Sequence, residues 1–134
     1  MTKPKVLITR RWPEDVEARL LSHFDVSLNT DDVPMSQNQF RDAFQGYDAI
    51  FSTVTDKIDQ HAFPEDNIRV RLIGNFGVGF NNIDIETAKN CNIVVTNTPD
   101  VLTDATADLT LALLLAIARR VGDGERHLRG GEWT

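Results

Sequence analysis

The stretch VRLIGNFGVGFNNIDIETAKNCNIVVT, residues 70–96, decides the fold. It begins with a short apolar run, 70–74, of the length of a buried strand. A glycine-rich loop follows. Asp84 then stands where a helix cap belongs, ahead of a short helical segment over 85–90. A β-branched run at 93–96 closes the stretch and reads as a second strand. Strand, helix and strand in succession make a crossover, and crossovers join parallel neighbours.

Working outward, the same alternation holds. Residues 49–52 read as a strand, and Asp59 to Phe63 as a brief helical turn stopped at Pro64. Ser36 and Gln39 have capping-box spacing, and the helix they start buries Phe40, Ala43 and Phe44 before stopping at Gly46. Residues 25–29 alternate like an edge strand. Residues 6–9 read as a first buried strand, after which Pro13, Glu14 and Asp15 open a helix with Leu20, Leu21 and Phe24 on its apolar side. Toward the C-terminus a long helix runs from Thr103 or Asp104 to about Val121, its extension toward Leu128 weakened by Gly122 and Gly124. The pattern predicts an α/β protein: a flavodoxin-like, five-stranded parallel sheet of order 2-1-3-4-5, followed by a long C-terminal helix. Ligands of such a sheet bind at the carboxyl ends of the strands, which here are residues 9–11, 52–55, 75–82 and 97–102.

Charge and cysteine content exclude several classes. Lys and Arg total 14 against 20 Asp and Glu in 134 residues, a net charge of −6. The longest basic runs are Arg10-Arg11 and Arg119-Arg120, so the footprint of a nucleic-acid binder is missing. A single cysteine, Cys91, leaves no internal disulfide or cysteine-based zinc site and fits a reducing compartment. No signal peptide precedes the first strand. The most apolar stretch, 109–118, is about half a membrane crossing. A soluble, cytoplasmic protein with neither nucleic acid nor membrane as partner is expected.

Within the loop after strand four, Gly77-Val-Gly79-Phe-Asn-Asn82 nearly matches the dinucleotide fingerprint G-x-G-x-x-G. The third glycine, however, is Asn82, and the helix that follows is too short to direct a useful dipole at a pyrophosphate. Two glycines one residue apart still let the backbone approach a small anion and offer it N–H groups. Taken alone, the loop reads as a plain glycine turn in preference to a carboxylate cradle. Asp104 and Asp108 share a helix face, but in the first turns carboxylates stabilise the dipole without any metal. His23, His61 and His127 have no evident partner to set a general acid and read as surface residues. Cys91 reads as packed or half-exposed rather than nucleophilic. A phosphoacceptor receiver needs acidic residues where Thr9-Arg10-Arg11 and Ser52-Thr53 stand. A flavodoxin needs a Ser/Thr/Gly-rich loop where Arg-Arg-Trp-Pro stands.

The last helix carries the strongest physical argument. Leu109, Leu113, Ala116 and Ile117 form one stripe, and Leu111, Leu114, Leu115 and Ala118 cover most of the remaining circumference. A helix apolar on all sides must be buried on all sides. A five-stranded sheet can cover one of them; the rest need another domain or another chain. Burying four of these leucines is worth roughly 6–12 kcal/mol at about 1.5–3 each. The chain therefore reads as part of a longer protein or as an obligate oligomer.

These residues also carry a resemblance. Ile73-Gly-Asn-Phe-Gly-Val-Gly-Phe-Asn-Asn-Ile-Asp84, then Val95-Thr-Asn-Thr-Pro-Asp-Val-Leu-Thr-Asp-Ala-Thr-Ala-Asp-Leu109, Leu113 to Arg120 and Gly130-Gly-Glu-Trp133 resemble the D-isomer-specific 2-hydroxyacid dehydrogenases. Thr98-Pro-Asp-Val-Leu-Thr-Asp104 is most similar to the glyoxylate/hydroxypyruvate reductase branch. The resemblance implies an oxidoreductase that moves a hydride between NAD or NADP and a small 2-oxoacid or 2-hydroxyacid. It implies a substrate-binding domain over 1–100, an interdomain and dimerisation helix with linker over 101–134, and a Rossmann cofactor domain beyond this chain. The catalytic Arg, Glu and His of the family lie in that further part, so no catalytic residue is carried onto this sequence, nor any metal ligand.

What the resemblance does place here is the substrate cradle. It implies that the backbone N–H groups of Val78 and Gly79 meet the substrate carboxylate, that Val54 flanks the substrate, and that Val78 and Thr106 face the nicotinamide end of the cofactor. The cofactor would be held mainly by the further domain. A homodimer is implied, with exchange of the C-terminal helix between chains as one form of it. The rival reading is a free-standing binding or regulatory module that dimerises through its last helix.

Overall fold

The computed structural model describes residues 2–133, and the chain divides into two compact units between Pro99 and Asp100. In the first, β1 (Lys5–Ile8), β2 (Asp25–Leu28), β3 (Ala49–Thr53), β4 (Leu72–Phe76) and β5 (Val94–Thr96) form one sheet in the order β2-β1-β3-β4-β5. Every pairing is parallel. The helices of this unit are α1 (Glu14–His23), α2 (Gln37–Gly46) and α3 (Ile85–Asn90), with a 3₁₀ turn at Gln60–Ala62. This is the flavodoxin-like sheet the sequence predicts.

The main core cluster lies on one face of the sheet, while Val6, Ile8 and Ala49 are buried on the other. Strand side chains alternate between faces, so Leu7, Ile50 and Ile73 turn together toward Phe40, Ala43 and Phe44 of α2, with Ile58, Phe63, Val70, Ile83, Ala88 and Ile93 completing the cluster. Phe44 stacks on Phe63 with ring centroids 4.6 Å apart. The capping box forms as expected: Gln39 N–H donates to Ser36 Oγ, and Ser36 N–H donates to Gln39 Oε1 at 2.9 Å.

Three local readings need correction. Strand β4 starts two residues later than the apolar run suggests. The N–H groups of Arg69 and Val70 donate to Phe44 O at the end of α2, so pairing with β3 begins only at Leu72, opposite Ala49. Helix α1 buries Glu17 rather than the expected leucines, and Leu21 is exposed. The Glu17 carboxylate accepts Trp12 N–H at 2.8 Å and lies 3.4 Å from Arg11 Nε, so the buried polar group is satisfied. Finally, the long helix is two helices.

In the second unit α4 (Thr103–Ala118) stops short of Val121, and α5 (Val121–Arg129) follows. The break falls at Arg120, whose backbone is left-handed at φ 53°, and not at the glycines, which lie inside α5. Arg120 C=O accepts the N–H groups of Asp123 and Gly124 and so opens the second helix. Its guanidinium reaches Asp123 at 2.8 Å, giving α5 an ionic first turn. No residue of α4 is buried. Its leucines are 55–60% exposed and Ile117 77%. Asp104 and Asp108 are exposed too, and among the described residues no group of acidic, histidine or cysteine side chains is arranged for a metal ion. Among the described residues no helix is long and apolar enough to cross a membrane.

Candidate functional site

The site begins with two buried polar side chains at the end of the central strands. Ser52 on β3 and Asn75 on β4 are cross-strand partners on the core face, where an unpaired polar group is costly. Ser52 Oγ donates to Asn75 Oδ1 at 3.0 Å. Asn82, at the third-glycine place of the near-fingerprint, returns to the same point. Its Nδ2 donates to Asn75 Oδ1 at 3.2 Å and to Thr53 O at 3.1 Å, and its Oδ1 accepts Asn75 Nδ2 at 3.3 Å. The amide pair closes the loop 75–82 onto the ends of β3 and β4.

Inside that closure three successive carbonyls are occupied. Gly77 O accepts Thr98 N–H at 3.0 Å. Val78 O accepts Asn97 Nδ2 and Gly79 O accepts Asn75 Nδ2, each at 2.8 Å. In a trans peptide the C=O of one residue and the N–H of the next lie on opposite sides. Holding the carbonyls of Gly77, Val78 and Gly79 against the protein therefore turns the N–H groups of Val78, Gly79 and Phe80 away from it. None of these three N–H groups donates to any of the described residues. Gly79 and Phe80 are exposed and Val78 is half-buried. Three adjacent backbone donors are thus left free on the outer side of the loop.

The turn after β3 forms the neighbouring wall. A Cβ at Gly77 would collide with Val54 Cγ1, so glycine is what lets Val54 lie against the loop. Asp56 fixes this turn from beneath. It is buried, and its Oδ2 accepts Thr53 N–H at 2.8 Å and a short bond from the hydroxyl of buried Thr9. Arg10 Nη1 donates to Thr55 Oγ1 at 3.0 Å, while its Nε donates to Asp32 Oδ1 at 2.9 Å. That bond, with Arg11 N–H, holds the Asp32 carboxyl below the usual carboxylate range. Trp12 stands over Phe51 and Phe76, centroids 5.4 and 5.3 Å away. Gly74 allows Phe51 its place, since a Cβ there would lie 2.5 Å from the ring.

Of the residues singled out in the sequence, Val54, Val78 and Gly79 thus share one loop cluster. Thr106 stands in the other unit, exposed on the first turns of α4, its C=O accepting Thr110 Oγ1 at 2.7 Å. Asn75, Asn97 and Asp56 were not singled out individually, and Asn82 only as the residue in place of the third glycine. For Asn75 and Asn97 the available signal is a polar residue closing a strand run, after 70–74 and after 93–96. The three histidines are exposed. His127 does have a partner, Glu132 Oε2 at 2.8 Å, and His61 packs its backbone N–H on Asp59. Cys91 is half-buried.

A dinucleotide's pyrophosphate does not fit here. Helix α3 has six residues, and its N-terminus is filled by the Asp84 carboxylate, which accepts Thr87 N–H at 3.0 Å and Thr87 Oγ1 at 2.9 Å. The same bonds hold that carboxyl below its ordinary range. An anion arriving there meets a negative charge already in place.

The fold and the loop together define a parallel α/β unit with free backbone donors beyond its strand ends. The family model described as "D-isomer specific 2-hydroxyacid dehydrogenase, catalytic domain" matches residues 6–124, and the chain belongs to that family. It is 45% identical over 131 residues to a glyoxylate reductase of Pyrococcus horikoshii and 41% identical to one of Thermococcus onnurineus, covering 98% of this chain in each case. The chain spans 39% of the length of those curated relatives. Among solved structures it superposes on the TT0316 protein of Thermus thermophilus with a TM-score of 0.79 and 36% identity, over 97% of this chain and 42% of that one. An NADPH-dependent glyoxylate/hydroxypyruvate reductase of Sinorhizobium meliloti, solved with NADP and malonate, gives 0.76 and 30%, over 98% and 40%.

Proposed function

We propose that this chain is the substrate-binding part of an NAD(P)-dependent oxidoreductase that reduces a small 2-oxoacid of the glyoxylate or hydroxypyruvate type to the D-2-hydroxyacid. The observation that carries the reading is the set of free N–H groups at Val78 and Gly79, made available by the occupied carbonyls beside them. A carboxylate accepts from both, and Val54 limits the space left for the rest of the substrate. Malonate in the related Sinorhizobium structure is itself a small carboxylate, which favours the same class of ligand.

In this reading residues 1–100 bind substrate and 101–134 form the interdomain and dimerisation element. The nicotinamide end of NAD or NADP passes Val78 and Thr106, while its phosphates are held by chain outside this one, since the start of α3 is closed to them. The proton donor and the carboxylate-binding arginine also come from outside. The exposed leucines of α4 support association, either with such a further domain or with a second copy that exchanges the helix. Two measurements test this. Pyruvate added to the 134-residue chain shifts the amide resonances of Val78 and Gly79, and the chain alone oxidises neither NADH nor NADPH in the presence of glyoxylate. Unmoved amides, or measurable turnover, would overturn the corresponding half of the reading.

A further inference from the structure

The free donors of the cradle are not a property of its glycines. Neither Gly77 nor Gly79 has a positive φ, so the loop does not use the conformations that only glycine reaches easily. Their Cβ-free positions differ as well: Gly77 makes room for Val54, whereas Gly79 faces open space. What orients the peptide planes is the set of donors that hold their carbonyl ends. One is the backbone of Thr98. The other two are side chains, Asn75 from the end of β4 and Asn97 from just beyond β5.

Each asparagine acts on one plane. Asn97 Nδ2 holds Val78 O, and the N–H across that same peptide belongs to Gly79. Asn75 Nδ2 holds Gly79 O, and the N–H across that peptide belongs to Phe80. Asn75 is itself fixed, because its Oδ1 takes both Ser52 Oγ and Asn82 Nδ2. Asn97 is half-buried and makes no other side-chain hydrogen bond among the described residues. It is the adjustable member of the pair.

We infer that Asn97 and Asn75 are positioning residues of the carboxylate site: they touch no substrate, and they set the direction of the N–H groups that do. The inference rests on the cradle assigned above. It also makes a polar side chain beyond β5 part of a site otherwise built from β3 and β4. An amide is needed because the anchored group is a carbonyl. Aspartate at either place puts acceptor against acceptor, and an aliphatic residue leaves the plane free to rotate.

The test follows pyruvate binding to the 134-residue chain through its amide resonances, in the wild type and in Asn97→Ala, Asn97→Gln and Asn75→Asp. Asn97→Ala leaves the resonances outside residues 76–82 and the immediate neighbours of position 97 unchanged and weakens pyruvate binding about tenfold, the effect of one hydrogen bond at most. Asn97→Gln keeps an amide donor and recovers most of the loss, which a role in packing alone would not produce. Asn75→Asp abolishes the response. If the wild type binds and Asn97→Ala and Asn75→Asp bind equally well, the positioning role is wrong while the cradle stands. If the wild-type Val78 and Gly79 resonances do not move, the cradle falls and the positioning role with it.

Discussion

Helices α2 and α4 put their apolar residues to opposite use. Helix α2 is polar on average, yet Phe40, Ala43 and Phe44 are buried to within a few per cent. Helix α4 is leucine-rich all round and buries nothing. The difference lies in the pattern rather than the amount of apolar surface. A stripe at i, i+3 and i+4 commits a helix to one partner, and for α2 that partner is the sheet of its own unit. A helix without a polar side commits to no single partner, and none of the α4 residues is buried.

The contrast is open to measurement. Phe44→Ala removes a fully buried ring from the core and should cost about 3–5 kcal/mol in urea unfolding, while Leu113→Ala on α4 should change the stability of the single chain by less than about 0.5. Comparable losses would mean that α4 is packed as α2 is. Gly74→Ala sharpens the same point on the sheet, where the added methyl meets the Phe51 ring; about 1–3 kcal/mol is expected. For α4 the loss should appear in association instead. Ile117→Glu should weaken self-association by about tenfold or more in sedimentation, a charge having been placed in an apolar contact, with the unfolding midpoint unmoved.

The smallest effect is electrostatic. Asp48 accepts both Arg69 nitrogens at 2.8 Å and Lys5 N–H at 2.7 Å, and Arg69 first, then the Lys5 backbone, lowers its pKa. The folded value lies below the unfolded one. The contribution is therefore complete above about pH 4, the ordinary carboxylate value, and is lost as pH falls through the folded value. Asp48→Asn should flatten the acid limb of a melting-temperature profile by a small amount, because the pair is partly exposed.

The sheet was legible from sequence because four strands are short apolar or β-branched runs and β2 alternates as an edge strand does, and because parallel order follows from the crossovers. The boundary of β4 was not. Val70 is as apolar as a strand residue, but its N–H is used by the end of α2, and that choice is made by tertiary contact. The break at Arg120 was hidden for the reverse reason: the glycines mark where helix is weakest, while the turn itself occurs at a residue with good helix propensity. The glycine pair of the site was legible too. Its anchors were not, because an asparagine carries no periodicity and its partner Gly79 O is a backbone atom that no pattern displays.

Asn82 shows what that blindness conceals. As a letter it is the mismatch that spoils a nucleotide-binding signature; as a side chain it clasps Asn75 and seals the loop to the sheet. Glycine at this position would complete the motif on paper and release the loop from the ends of β3 and β4. For a designer wishing to recast this loop toward phosphate, the obstacle is thus not one missing glycine but a latch, and behind it an aspartate already seated at the helix entrance.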